Sequence, residues 1–242
     1  MRTSMLAVLS TAIVWSLSAP AGAASLQVAP VSVEVTAPSA STIVTLRNEG
    51  TRPLVAQIRV FRWFQVNGEE KLEPTDDVVA SPPITSLAPK TDYTVRLVRV
   101  AKRPLSAGES YRLLVDELPD RTAERTGAVS LVLRYSIPVF FYSGTAAEAK
   151  LTWSLERRGG QIYVSATNAG DRHSRISALK IRDEKGSTVS FGNGLTGYAL
   201  GRSTIRWALP GNTRALSRDG SIVIDAQGTG GPIHATTTPL PR

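Results

Sequence analysis

The side chains that ordinarily do chemistry are thinly spread in this chain of 242 residues, which has no cysteine and only two histidines, His173 and His234. A hydrolase needs a nucleophile, a base and an orienting group held together. No GxSxG, HExxH or phosphate-loop pattern occurs, and no cluster at metal-ligand spacing can be assembled, so neither catalysis nor a metal or cofactor is expected. His173 follows the turn-like run Asn168-Ala169-Gly170-Asp171-Arg172 and reads as a solvated histidine; His234 falls in a tail expected to fray. What remains is arginine. Arg112 and Arg134 each interrupt an apolar, strand-like segment. A guanidinium fork binds a carboxylate through two parallel hydrogen bonds, which a lysine cannot match. Either arginine could instead make a structural salt bridge with Asp116 or Glu117, or lie on a solvated strand face. Arg62 and Arg96 read as surface arginines whose stems cover apolar surface.

The second feature is an alternation. Val129, Leu131, Leu133, Tyr135, Ile137 and Val139 share one parity, against Ser130, Val132, Arg134, Ser136 and Pro138. In a strand, one face is then wholly apolar or aromatic. That face could rest on the protein's own core. It could also be offered to another chain, because Pro138 donates no ladder hydrogen bond and places this strand end at a sheet edge.

The elements that must carry these residues read as β-strands throughout. Apolar residues recur at every second position, rich in Val, Ile, Leu and Thr, with Gly, Pro and Asn at the breaks. Strands are expected over residues 26–35, 42–46, 54–66, 91–100, 111–118 and 129–142. A second series is expected over 150–155, 162–167, 176–182, 198–209 and 222–226. Asn67-Gly68 and Gly159-Gly160 read as hairpin turns, and Asn193-Gly194 as a further turn. The alternation stops at the small residues Ser143-Gly144-Thr145-Ala146-Ala147, which marks a domain boundary. The fold class expected is all-β, with one β-sandwich over residues 25–143, a linker over 144–149, a second over 150–228, and a tail over 229–242 rich in Gly, Thr and Pro.

Composition sets the setting. Arg2, an apolar stretch over residues 5–17 and Ala21-Gly22-Ala23 form the pattern of a cleavable secretory leader over residues 1–24, with cleavage near Ala23 or Ala24. No later apolar run is long enough to cross a bilayer as a helix. The whole chain carries a net charge of +8, of which the leader holds only Arg2. Such a surface favours acidic partners, but sparse aromatics, the leader and the lack of a nucleic-acid motif exclude nucleic acid as the expected ligand.

Three stretches carry a resemblance: QIRVFRWFQVNGEEKLEPTDDVVASPPI at residues 57–84, SYRLLVDELP at 110–119 and VLRYSIPVFFY at 132–142. In order and spacing the chain resembles the PapD-like periplasmic chaperones of pilus assembly, most closely the archaic, Csu-type branch. The second domain carries the resemblance more weakly, through SRISALKIRD at 174–183 and Gly197-Tyr198.

The resemblance implies two immunoglobulin-like sandwiches set at an angle, working in the periplasm. It implies binding of pilin subunits that lack their last strand, by donor-strand complementation, and delivery to an outer-membrane usher. It assigns Val129, Leu131, Leu133, Tyr135 and Ile137 to the donor face. Burial of the first three in a pilin groove would be worth roughly 4–8 kcal/mol before ordering costs. In better-known relatives an Arg and a Lys clamp the pilin's terminal carboxylate; here Ser32 and Pro138 stand at those places. Arg112 and Arg134 are the replacements expected, and Asp116 and Glu117 are expected in a charge cluster joining the domains. Self-association through the edge strand is a further expectation. The rival expectation is an immunoglobulin-like subunit of a surface fibre.

Overall fold

A computed structural model describes residues 26–119, 132–211, 216 and 220–237. Among these residues there are eighteen strands and no helix. The first domain is a sandwich of two sheets. One is ordered β1 (Leu26–Ala29), β3 (Ser41–Asn48), β8 (Asp92–Arg99), β6 (Val78–Ser81); the other is ordered β2 (Val33–Thr36), β10 (Arg134–Tyr142), β9 (Gly108–Leu118), β4 (Leu54–Val66), β5 (Glu69–Pro74), with β7 (Ile84–Leu87) also on β4. Inward residues of alternating parity, among them Val44, Leu46, Ile58, Leu97, Leu113 and Phe141, close a single core between the sheets.

The strand expected over residues 26–35 is two. β1 pairs with β3, and after a cis Ala29–Pro30 bond β2 crosses to the other sheet and pairs parallel to β10. Leu26 and Val28 before the crossing and Val33 and Val35 after it are all buried; alternation holds within each half and changes parity between them, a shift that is lost when the apolar run is read as one strand. Asn67 and Gly68, both at positive φ, close the two-residue hairpin of β4 and β5. β5 has every residue exposed, so it carries no alternation to be read.

The second domain packs a sheet of β11 (Leu151–Arg158), β12 (Gln161–Asn168) and β16 (Ser203–Ala208) on one of β14 (Thr188–Ser190), β13 (Ser174–Asp183), β17 (Ile222–Gly228) and β18 (Gly231–Thr237), with β15 (Leu195–Ala199) also on β13. Gly159 and Gly160, both at positive φ, turn β11 into β12. Two expectations are corrected here. The single strand over 198–209 is broken by a turn at residues 201–202, where Arg202 has positive φ, into β15 and β16. The tail does not fray over residues 231–237: β18 pairs with β17 from Gly228↔Gly231 to Ile222↔Thr237. Its Gly, Thr and Pro content hides an edge strand whose alternate residues are half-buried.

Candidate functional site: the cleft between the domains

β4 shows how the cleft is built. Its buried residues are Leu54, Ala56 and Ile58 in the first half, then Trp63 and Gln65 in the second, a change of parity. Because parity selects the face of the sheet, the first half faces the first domain's core and the second half faces away from it, against the other domain. β10 does both at once: Ile137, Val139 and Phe141 enter the core, while Phe140 and Tyr142 enter a separate aromatic cluster with Trp63, Tyr198 and Leu200. The consecutive apolar run IPVFFY is the sequence trace of a strand buried on both faces.

Gln65 locks this seam. Its Nε2 donates to the Tyr198 carbonyl at 2.7 Å, and its Oε1 accepts from Leu200 N at 3.1 Å and Ser203 Oγ at 2.8 Å. Beside it the hairpin tip docks on β16, where Arg206 N donates to the Gly68 carbonyl at 3.0 Å. Gly68 is required twice over, by its positive φ and because a Cβ there would lie 2.9 Å from the Arg206 Cβ.

Arg112 lies opposite Pro138 on β9 and beside Phe61 of β4, so its side chain leaves the sheet on the seam side. Its guanidinium stacks 3.6 Å from the Trp63 ring centroid and 5.4 Å from that of Tyr198. The side chain is only 14 % exposed, and among the described residues its sole ion pair is a long one, 3.9 Å to Glu70. Burial pulls its pKa below the usual arginine value, with Glu70 acting against the shift. It opens on a cavity of about 470 Å³ also lined by Glu70, Thr196, Tyr198, Arg206 and Trp207. Arg206 was not foreseen: from sequence it is one more arginine in a strand, and only the docked hairpin buries it beside Glu69 at 3.6 Å and Glu156 at 3.2 Å.

Arg134 is elsewhere. It pairs with Asp116 at the end of β9 and β10 remote from the seam, and its side chain is 63 % exposed. Asp116 also binds Arg59 Nη2 at 2.6 Å. Despite desolvation, its carboxyl is held below the usual range by these two arginines. Asp116 and Glu117 therefore do not join the domains; the strand register puts them at the far end of the first one, opposite Gln57 and Ala56. Charge does cross the seam from other residues, with Arg172 3.5 Å from Glu34 and Arg206 beside Glu69.

His173 corrects the expectation of a solvated ring. It is buried, stacks on Phe140 at 3.7 Å between centroids, and holds its Nδ1 2.6 Å from the Tyr142 hydroxyl. That hydroxyl also accepts from the backbone N–H of His173 at 3.1 Å, so two hydrogen bonds tie the residue to β10. Burial, then Arg172 and Arg175, push its pKa down to about 4. The turn around it folds back onto the first domain, which no local pattern announces. His234 bonds Asp225 at 2.6 Å on the β17–β18 hairpin. Among the described residues no group of three or more His, Cys, Asp or Glu is placed to hold a metal ion.

Of the five residues expected on the donor face, Val129 and Leu131 lie outside the described residues. Leu133 and Tyr135 pack half-buried against the first domain's core, and Ile137 is 3 % exposed inside it. Ile137 thus serves this chain's own core, because its parity turns it inward where the two sheets face each other. β2 pairs only with Val139–Tyr142, so among the described residues 134–137 pair with β9 alone, and Pro138 stands where the second partner ends.

Residues 25–143 match the family described as pili and flagellar-assembly chaperone, PapD N-terminal domain. The chain is similar to the chaperone of the CsuC–CsuE chaperone–tip adhesion subunit complex from the archaic Csu pili of Acinetobacter baumannii. The identity is 26 %, the TM-score is 0.67, and 90 % of this chain and 99 % of that one are covered. It shares its fold with the Escherichia coli chaperone DraB (18 % identity, TM-score 0.58, 87 % and 97 % covered). It also shares it with the structure of the Salmonella enterica SafA pilin bound to the SafB chaperone (14 % identity, TM-score 0.61, 88 % and 96 % covered). No curated protein sequence matches the chain. An all-β fold of two such sandwiches defines the class, and the first of them, residues 25–143, is a PapD N-terminal domain of the pili and flagellar-assembly chaperones.

Proposed function

We propose that this chain is exported by its leader, binds pilin subunits in the periplasm by lending them a strand, and passes them to an outer-membrane usher. The observation that carries the reading is the half-open edge of β10. Residues 134–137 lack a second strand partner among the described residues and directly follow the apolar alternation Val129, Leu131, Leu133. An edge with apolar side chains is normally covered or charged; here it suits a groove that lacks a strand. Tyr135 and Ile137 continue the same face into this chain's own core and hold the lent segment in register. Arg112 binds the subunit's terminal carboxylate in the cleft, and the Asp116-bound Arg134 takes no part.

The test is co-expression with a pilin and affinity capture. Val129→Glu with Leu131→Glu removes pilin from the captured complex. Arg112→Glu does so while leaving the protein folded by circular dichroism. Full yield of pilin with either variant overturns the corresponding assignment.

A further inference from the structure

The turn between β12 and β13 is bound into the second domain at both ends. Asn168 knots it: its Oδ1 accepts from Gly170 N at 2.9 Å and Lys150 N at 3.0 Å, and its Nδ2 donates to the Arg172 carbonyl at 2.7 Å and the Ala199 carbonyl at 3.2 Å. Arg202 adds a backbone bond to the Gly170 carbonyl at 2.9 Å and a side-chain bond to Asp171 at 2.8 Å. Residues 168–172 therefore move with the second sandwich.

The same turn reaches into the first. The Asp171 carbonyl passes so close to Gly108, the first residue of β9, that a Cβ there would lie 2.6 Å from it. His173 then packs on Phe140 of β10, 3.7 Å between centroids, and on Tyr198 of β15, 5.6 Å, with two hydrogen bonds to the Tyr142 hydroxyl. Because Asn168 and Arg202 hold the turn, the ring leaves β10 when the second domain leaves with it.

The groups facing the ring serve a charged imidazole poorly. Arg172 in the turn and Arg175 at the head of β13 both oppose a proton there. Tyr142 from β10 and Tyr198 from β15 supply aromatic faces. Glu34 of β2 lies 3.8 Å from Nε2, but it is 41 % exposed and shared with Arg172 at 3.5 Å. Glu148 of the linker is taken by Arg172 at 3.2 Å, and His234 of the β17–β18 hairpin bonds Asp225. Glu34, Glu148, Arg172, His173 and His234 line one cavity of about 600 Å³ at the seam.

We propose that the turn at residues 168–173 latches the two domains together, and that protonation of His173 releases the latch, so that mild acid frees the domains to part while each sandwich stays folded. This stands independently of which residues bind a subunit. The sign follows from linkage: His173 has a pKa of about 4 in the closed seam and about 6.5 once released, so the proton favours the open form. The latch is whole above about pH 6.5 and weakens as pH falls towards 4. Between pH 7.5 and pH 5 the opening equilibrium rises about 25-fold.

Native-state hydrogen exchange of the ¹⁵N-labelled full-length protein reads this opening. Three amides of the second domain bond across the seam: His173 N–H to the Tyr142 hydroxyl, Leu200 N–H to Gln65 Oε1 and Arg206 N–H to the Gly68 carbonyl. After correction for intrinsic exchange, all three are expected to lose protection together, about 25-fold between pH 7.5 and pH 5. Core-strand amides such as Leu113 and Val164 are expected to exchange far more slowly at both pH values. His173→Phe is expected to remove the pH step. Tyr142→Phe, which keeps the imidazole, is expected to raise opening at both pH values and keep the step at Leu200 and Arg206. Loss of protection at His173 alone, which would be a loop opening, overturns the proposal. So does exchange of Leu113 and Val164 at the cross-seam rate, which would be unfolding, or an equal step in His173→Phe.

Discussion

The Tyr142 hydroxyl lies 2.6 Å from His173 Nδ1, at a seam where the last strand of one domain meets a turn of the other. The ring is neutral there. Its Nε2 faces Glu34 at 3.8 Å, and Arg172 and Arg175 add positive charge nearby, so protonation inside the folded protein is disfavoured by burial first and by those arginines second.

A pH dependence follows. The folded pKa of His173 is about 4, against about 6.5 for an unfolded histidine. On acidification the unfolded chain therefore takes up the proton first. The stability is fully present above about pH 6.5 and is lost as pH falls towards 4, by roughly 3 kcal/mol in all. Urea denaturation between pH 7 and pH 4 is expected to show this slope in the wild type and to lose that part in His173→Phe. Identical slopes would exclude His173 as the source.

Gln65→Ala removes the partner of the Tyr198 carbonyl and of the Leu200 N–H in a buried seam, while the Ser203 hydroxyl keeps the Leu200 carbonyl. A loss of about 2–4 kcal/mol is expected, with unfolding that separates into two steps as the domains uncouple. A single transition within 1 kcal/mol of wild type (roughly one lost hydrogen bond) contradicts the lock.

Arg134→Ala is expected to cost less than about 1 kcal/mol, because the pair is solvent-exposed on the arginine side. Pilin capture is expected to be unchanged. Asp116→Ala costs more, since it also leaves Arg59 without its partner on the same carboxylate. Lost pilin capture in Arg134→Ala, with stability intact, would return Arg134 to the anchor.

Ile137→Ala opens a hole in the first domain's core and is expected to cost about 2–5 kcal/mol. Val132→Ala, at an exposed side chain, is expected to change stability by less than about 0.5 kcal/mol. Comparable midpoints for the two variants would mean that Ile137 is not the inward residue of its strand.

The strands were legible because alternation is local: each residue's neighbours two positions away report which face it shares. Hence β4, β9 and β17 were expected nearly where they lie, and the glycine-bearing turns at 67–68 and 159–160 followed from the positive φ that a tight hairpin demands. The three stretches that carry the family resemblance are likewise written along the chain. β5 escaped notice because an edge strand exposed to water needs no apolar face, and β18 because its half-buried face, Gly231, Ile233, Ala235 and Thr237, carries little apolar bulk.

Alternation tells which face a residue occupies and is silent on what covers that face. Arg112 and Arg134 share β-strand surroundings in the sequence, yet cross-strand register put one against Trp63 and Tyr198 and the other against Asp116. His173 was buried by a domain more than thirty residues away along the chain from Phe140 and Tyr142. The sequence by itself determined the two sandwiches and the family; the packing of one domain on the other decided which arginine meets the cleft, because that contact joins segments whose proximity no local pattern records.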